Sequence, residues 1–234
     1  MNYLTIFLQT TPQDTLATAA QNAQNGEVTL QFWDLVLKGG WIMLPIVILS
    51  ILAVYIFFER YFAISKASQT DINFMNKIKD YIHDDKIDSA QTLCQSIDSP
   101  VARMIDKGIQ RIGRPLDDIT AAIENVGKLE ISKLEKGLPT LATAAGAAPM
   151  IGFLGTVMGM IRAFYDMANA GNNIDITLLS NGIYTAMVTT VAGLIVGIIS
   201  YIAYNILVAK VEKVVYQLEM NTTEFMDLLN EPVD

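Results

Sequence analysis

Two stretches decide how this chain is read: GFLGTVMGM, Gly152 to Met160, and YTAMVTTVAGLIVG, Tyr184 to Gly197. Each lies in a long run without charge, and each sets glycines and threonines where a membrane helix ordinarily offers leucines. Gly155 and Gly159 form one GxxxG pair, and Gly193 and Gly197 form the other. Lipid tails solvate leucine as well as another helix does, so spans associate through close contact of small residues. The two pairs, joined by Gly152, Pro149 and the alanines Ala142, Ala144, Ala145, Ala147 and Ala148, predict two spans packed tightly against each other.

Working outward, the chain of 234 residues is 52% hydrophobic and only 17% charged, which points away from a soluble domain. Gly39 to Phe58, Gly137 to Ile161 and Ile176 to Ala209 carry no Asp, Glu, Lys, Arg or His. A span needs about 20 apolar residues, so the expected fold is an all-α membrane protein with three transmembrane helices. Of the 16 Lys and Arg, 12 lie between Arg60 and Lys136, and Lys210 and Lys213 follow the third run. Because basic residues stay on the cytoplasmic side, this bias sets an outside N-terminus and an inside C-terminus.

The expected order is then a periplasmic segment with an interfacial helix (1–38), span one (39–62) and a cytoplasmic helical domain (63–137). Span two (138–168), a periplasmic loop (169–177), span three (178–209) and a cytoplasmic C-terminal helix (210–234) follow. The start, MNYLTIFLQTTPQ, is apolar but has no basic residue ahead of it, so a cleaved signal peptide is not the expectation. Phe32, Trp33, Val36 and Leu37 suit a helix at the membrane surface. Twelve acids accompany the bases of the inner domain, which argues against nucleic acid as a partner.

Within that domain Asp71 is expected to cap one helix, Asp84 or Asp85 the next, and Ser99 before Pro100 a third, with RIGRPLDD as a turn. From Leu116 the apolar spacing runs into the second span, and Val211, Val214, Leu218, Phe225 and Leu228 carry a stripe beyond the third. Spans two and three should therefore extend as helices into the cytoplasm, with bends near Pro139 and Pro149.

The threonines raise the functional question. Thr185 and Thr189 are in line with Gly193 and Gly197, Thr190 is adjacent, and Thr143 and Thr156 lie on span two. A threonine in a membrane helix commonly bonds the carbonyl one turn back. The whole set, converging on the small-residue face, suggests a partly polar lumen. Proton and ion pathways usually depend on an ionisable group in the membrane, and the charge-free runs supply none. Either nothing is transported or another subunit brings that group.

At LATAAGAAPMIGFLGTVMGMIRAF (Leu141 to Phe164) and GIYTAMVTTVAGLIVGIISYIAYN (Gly182 to Asn205) the sequence resembles the MotA/TolQ/ExbB family of inner-membrane proton channel subunits. GGWIMLPIVILSILAVYIFFERYF (Gly39 to Phe62) is a weaker match, and three spans place the chain nearer the ExbB and TolQ branch. The resemblance implies a homopentamer whose second and third helices line a pore. It also implies a dimer of ExbD- or TolR-like single-span partners in that pore, each with a membrane aspartate, and a TonB- or TolA-like transducer. The family's pore threonines fall on Thr156 and Thr190, with Thr189 beside the latter. Where ExbB proteins commonly carry a glutamate this chain has Thr185, so its wall holds no titratable group.

The residues give no support for an enzyme, a cofactor or a bound metal. The single Cys94 excludes an internal disulfide, and the single His83, in YIHDDKID, has no nucleophile arranged around it. A non-conducting membrane scaffold is the competing reading. A hydroxyl-lined pore suits sodium as well as protons.

Overall fold

The computed structural model describes residues 39–68, 73–169 and 176–230, and all regular elements among them are helices. They are α1 (Met43–Ala67), α2 (Phe74–His83), α3 (Ile87–Ser96), α4 (Pro100–Ile109), α5 (Leu116–Glu135), α6 (Leu138–Asn169) and α7 (Ile176–Asn230). Three helical stretches, within α1, α5–α6 and α7, are long and apolar enough to cross a membrane. The chain is thus an all-α membrane protein with three transmembrane helices. The interfacial helix around Phe32 and Trp33 and the Asp71 cap lie outside the described residues.

The spine of the molecule is α7, whose 55 residues extend about 80 Å at 1.5 Å each. One buried stripe runs its length: Ala186, Thr189, Gly193, Gly197, Ser200 and Ala203, then Leu207, Val211, Val214, Leu218, Asn221, Phe225 and Leu228. Its small half lies along α6, where backbones approach closely. Its large half enters the cluster α2 to α5, filling the space between several helices with Phe74, Ile78, Ile105 and Ile123. There α4 comes so near that a Cβ on Gly108 would stand 2.6 Å from the Phe225 ring.

Each span leaves most of its apolar surface outside the protomer, with only 22% of each most apolar window buried. Much of α1 is exposed, but one edge, Met43, Ile46, Ala53, Ile56 and Ile64, is buried against the protein. The outward surface, which includes Leu44, Ile51, Tyr55, Phe153, Ile161, Ile195 and Ile198, is what a bilayer or further subunits would cover.

Local signals were legible in part. Ser99 caps α4, its Oγ accepting from the Ala102 amide at 3.1 Å, with Pro100 in the first turn. Within RIGRPLDD, Arg111–Arg114 turn the chain with Gly113 at φ 90°, and Leu116–Asp118 already open α5. Asp84 and Asp85, in contrast, do not cap α3. Lys86 precedes that helix without a side-chain cap, Asp84 takes the Lys86 ammonium at 2.9 Å, and Asp85 turns the chain at φ 55°. The helix expected to run unbroken from Leu116 is also interrupted, at Lys136–Gly137. Gly137 sits at φ 87°, where a side chain is strained, and the next residue but one, Pro139, falls in the opening turn of α6, where its missing N–H costs nothing. Pro149 lies within α6 and the helix continues through it.

Ion pairs bind the cluster to the end of α1. Lys66 and Arg103 both reach Asp98, at 2.8 and 2.7 Å, and Arg103 reaches Glu130 at 2.6 Å. Glu130, only 4% exposed, also accepts from Lys133 at 2.7 Å. Burial pushes the Glu130 carboxyl up, but its bonds to Arg103 and Lys133 together outweigh burial and hold it below the ordinary 4.5. A carboxyl lowered on folding contributes stability above its unfolded pKa and loses it as pH falls through the folded value. Glu130→Ala should therefore destabilise the folded chain at neutral pH by about 1.5 kcal/mol. Thermal melting followed by circular dichroism should show that difference narrowing below about pH 4.5.

Candidate functional site at the seam of the second and third spans

The seam between α6 and α7 is built by what glycine lacks. A Cβ on Gly193 would stand 2.5 Å from the Ala148 carbonyl oxygen and 3.0 Å from Gly152 Cα. One on Gly152 would meet the Thr189 carbonyl at 2.9 Å, and one on Gly159 would meet Ala186 Cβ at 2.8 Å. Gly197 faces Pro149 Cγ at 2.5 Å, and Gly155 faces the Thr189 side chain. All six small residues assigned to helix contact, Gly152, Gly155, Gly159, Gly193, Gly197 and Pro149, thus lie in this one seam. Gly182, facing Ala163 Cβ at 2.5 Å, extends it by a turn and was not singled out from sequence. Its position four residues before Ala186 on the same stripe was the available signal.

Close approach brings the threonines to carbonyls of the opposite helix. Thr190 Oγ donates to the Gly152 carbonyl at 2.9 Å and stands 3.5 Å from Thr156 Oγ. Thr156 donates within its own helix, to Phe153, at 2.5 Å. Thr189, 1% exposed, donates to the Ala186 carbonyl at 2.7 Å and is wedged against Gly155 and Gly152. Its hydroxyl therefore lies inside the seam. Thr185 is half-buried, and Thr143 is exposed and donates to Pro139 at 2.8 Å. The structure brings together Thr156, Thr189 and Thr190 around Gly152; Thr143 and Thr185 stand apart along the same two helices.

A hydroxyl has one hydrogen and two lone pairs. With the Thr156 and Thr190 hydrogens given to carbonyls, what each hydroxyl offers a visitor is an acceptor. That suits a protonated carboxyl or a water, both of which bring hydrogens. Among the described residues no acid or base is near: the closest ionic pair on α6 is Arg162 and Asp166, 3.9 Å apart and solvent-exposed, one turn from its end. Cys94, buried in the cluster with its thiol pushed up to about 12, chiefly by burial, is chemically quiet. Among the described residues no three His, Cys, Asp or Glu side chains gather as a metal site.

Three apolar helices, two of them zipped by glycines and carrying hydroxyls at mid-span, define a polytopic membrane protein. The particular family follows from comparison with known proteins: the chain belongs to the MotA/TolQ/ExbB proton channel family, whose pattern matches residues 96–220. Among relatives, it is 27% identical over 183 residues to the biopolymer transport protein ExbB-like 1 of Synechocystis sp., covering 77% of this chain and 72% of that one. It is 30% identical over 147 residues to the Tol-Pal system protein TolQ of Pseudomonas aeruginosa, covering 58% and 63%. With the biopolymer transport protein ExbB of Aquifex aeolicus it shares 40% identity over 106 residues, 44% of this chain and 70% of that one. These relatives place it on the ExbB/TolQ branch. The match with Aquifex aeolicus covers less of this chain, at higher identity, than the match with Synechocystis.

Proposed function

We propose that this chain is the wall-forming subunit of a motor in the bacterial inner membrane, driven by the proton-motive force. In this reading five copies surround a dimer of ExbD- or TolR-like partners, each bringing one membrane aspartate. The work passes to a TonB- or TolA-like transducer that serves outer-membrane import or envelope maintenance. The observation that carries the reading is the paired hydroxyl site at Thr156 and Thr190, two acceptors at mid-span within runs, 137–161 and 176–209, that carry no charge. A protonated aspartic acid, neutral and able to donate, fits such a wall; Thr185, where a titratable residue would compete, adds none.

Thr156 and Thr190 are the proposed pore threonines, with Thr143 and Thr185 above and below them, and Thr189 enters as a packing residue. The cluster α2 to α5 and the tail of α7 form the proposed cytoplasmic part, in keeping with the basic residues between Arg60 and Lys136. Moving one elementary charge through 100 mV releases about 2.3 kcal/mol, enough for repeated transfers to perform mechanical work. Native mass spectrometry of the chain, purified gently from its own membranes, tests the assembly. The expected result is five copies with two of a single-span protein that carries a membrane aspartate. A ring that retains no such partner in any mild detergent would instead favour a scaffold, for which the bonds that Thr156, Thr189 and Thr190 make within the protein are sufficient.

A further inference from the structure

The end of α1 holds the junction between the helical cluster and the second span. Arg60 Nη1 donates to the Lys133 carbonyl at 3.1 Å, in the last turn of α5, where backbone carbonyls have no partner within the helix. Its charge also complements the negative end of that helix. Nη2 pairs with Glu59 at 2.5 Å, and the side chain is only 13% exposed. Directly after α5 the chain turns at Lys136, ψ 126°, and Gly137, φ 87°, and Gly137 then accepts the first hydrogen bond of α6 from Leu141 at 3.1 Å. A Cβ on Gly137 would stand 3.3 Å from Ile56 and 3.9 Å from Arg60 Nε, so α1 is in contact with the elbow itself. One residue on, Tyr61 places its ring 4.1 Å from Lys210 Nζ, which holds α1 to α7 at the same level.

We propose that Arg60 is a positioning residue that locks the Lys136–Gly137 elbow and so sets the angle at which α6 leaves the cluster. A glycine elbow has soft dihedrals of its own and needs an outside restraint to keep one angle. Leverage makes the angle matter. Thr156 lies 19 residues beyond Gly137, ~28 Å along the helix, so a swing of about 5° shifts its hydroxyl by about 2 Å. Because α7 runs past both parts as one helix, it cannot follow the swing, and the Gly152–Gly193 seam has to absorb it. The link from this clamp to activity rests on the motor reading above; the clamp itself does not.

The test uses the full chain in lipid, with spin labels on cysteines introduced at the exposed positions Leu129 on α5 and Met150 on α6, diluted with unlabelled copies. Cys94, 2% exposed, stays unlabelled. The expected result is a narrow label-to-label distance in the parent, a broader or shifted one in Arg60→Ala, and partial recovery in Arg60→Lys, which keeps the charge on a single donor nitrogen. Partner-dependent proton uptake should fall on the order of tenfold in Arg60→Ala with copy number unchanged, the scale of one charge-assisted hydrogen bond. An unchanged distance distribution would overturn the clamp whether or not the chain conducts. A broadened distribution with full uptake would overturn its positioning role. Absence of uptake in the parent would tell against the motor reading alone, leaving the distances to judge the clamp.

Discussion

Gly193→Val is expected to destroy the pairing of the second and third spans. The first added carbon would stand 2.5 Å from the Ala148 carbonyl oxygen and 3.0 and 3.2 Å from Gly152 Cα and N, all of them backbone atoms that no rotamer change can move aside. The helices must separate, and with them goes the Thr190 bond to Gly152. Valine brings three carbons where none fits, so about 3 kcal/mol or more is expected from overpacking. A hydroxyl bond between spans adds only about 0.6 kcal/mol, so sterics dominate the loss. Unfolding titrated with a denaturing detergent would measure it. Gly146→Val is the matched control, since nothing lies within 4 Å of a Cβ there and helix pairing inside the protomer should survive. Equal stability of the two variants would contradict the close seam.

Replacing both proposed pore hydroxyls, Thr156→Val with Thr190→Val, is expected to slow proton uptake severely while sparing assembly. Valine keeps the shape of threonine, and the glycine contacts that hold the seam do not involve these two hydroxyls. What disappears is the pair of acceptors. Each hydrogen bond contributes about 1 kcal/mol, so losing two in the transfer step corresponds to about 2 kcal/mol, or roughly thirtyfold in rate. Thr156→Ser with Thr190→Ser should restore most of it, because the hydroxyls return without the methyls. Uptake into vesicles, alongside native mass spectrometry of the same samples, separates the two readings of the wall: normal uptake by an intact valine assembly would sink the motor role of this site.

The difference in size between these two effects follows from where each residue sits. Gly193 is pressed between two backbones and has no freedom to yield, whereas Thr156 and Thr190 border the seam and lose only polarity. The same distinction separates Thr189 from Thr190. By sequence both belong to one run of hydroxyls, yet successive residues on a helix point about 100° apart. The contact of Gly152 with Gly193 fixes the rotation of α7, and that rotation turns Thr189 into the seam and Thr190 to its edge beside Thr156. Asp84 and Asp85 illustrate a similar limit at short range: both are good cap residues, but Asp84 is drawn to Lys86 and Asp85 is needed to reverse the chain.

Hydrophobicity, side-chain size and charge are properties of each residue alone, so the sequence by itself determined that three helices cross the membrane and that the second and third meet through Gly155, Gly159, Gly193 and Gly197. It also carried the Ser99 cap, the stripe of α7 beyond Lys210 and the family. Only the tertiary structure decided the break at Gly137, the reach of Arg60 to Lys133, the burial of Glu130 between two cations and the bond from Thr190 to Gly152. Apart from the turn at Gly137 and the contact of Glu130 with Lys133 within α5, these join residues far apart in the chain and depend on the rotation and register with which their helices pack. Rotation and register are set by the sum of contacts along a whole interface, which no local spacing contains.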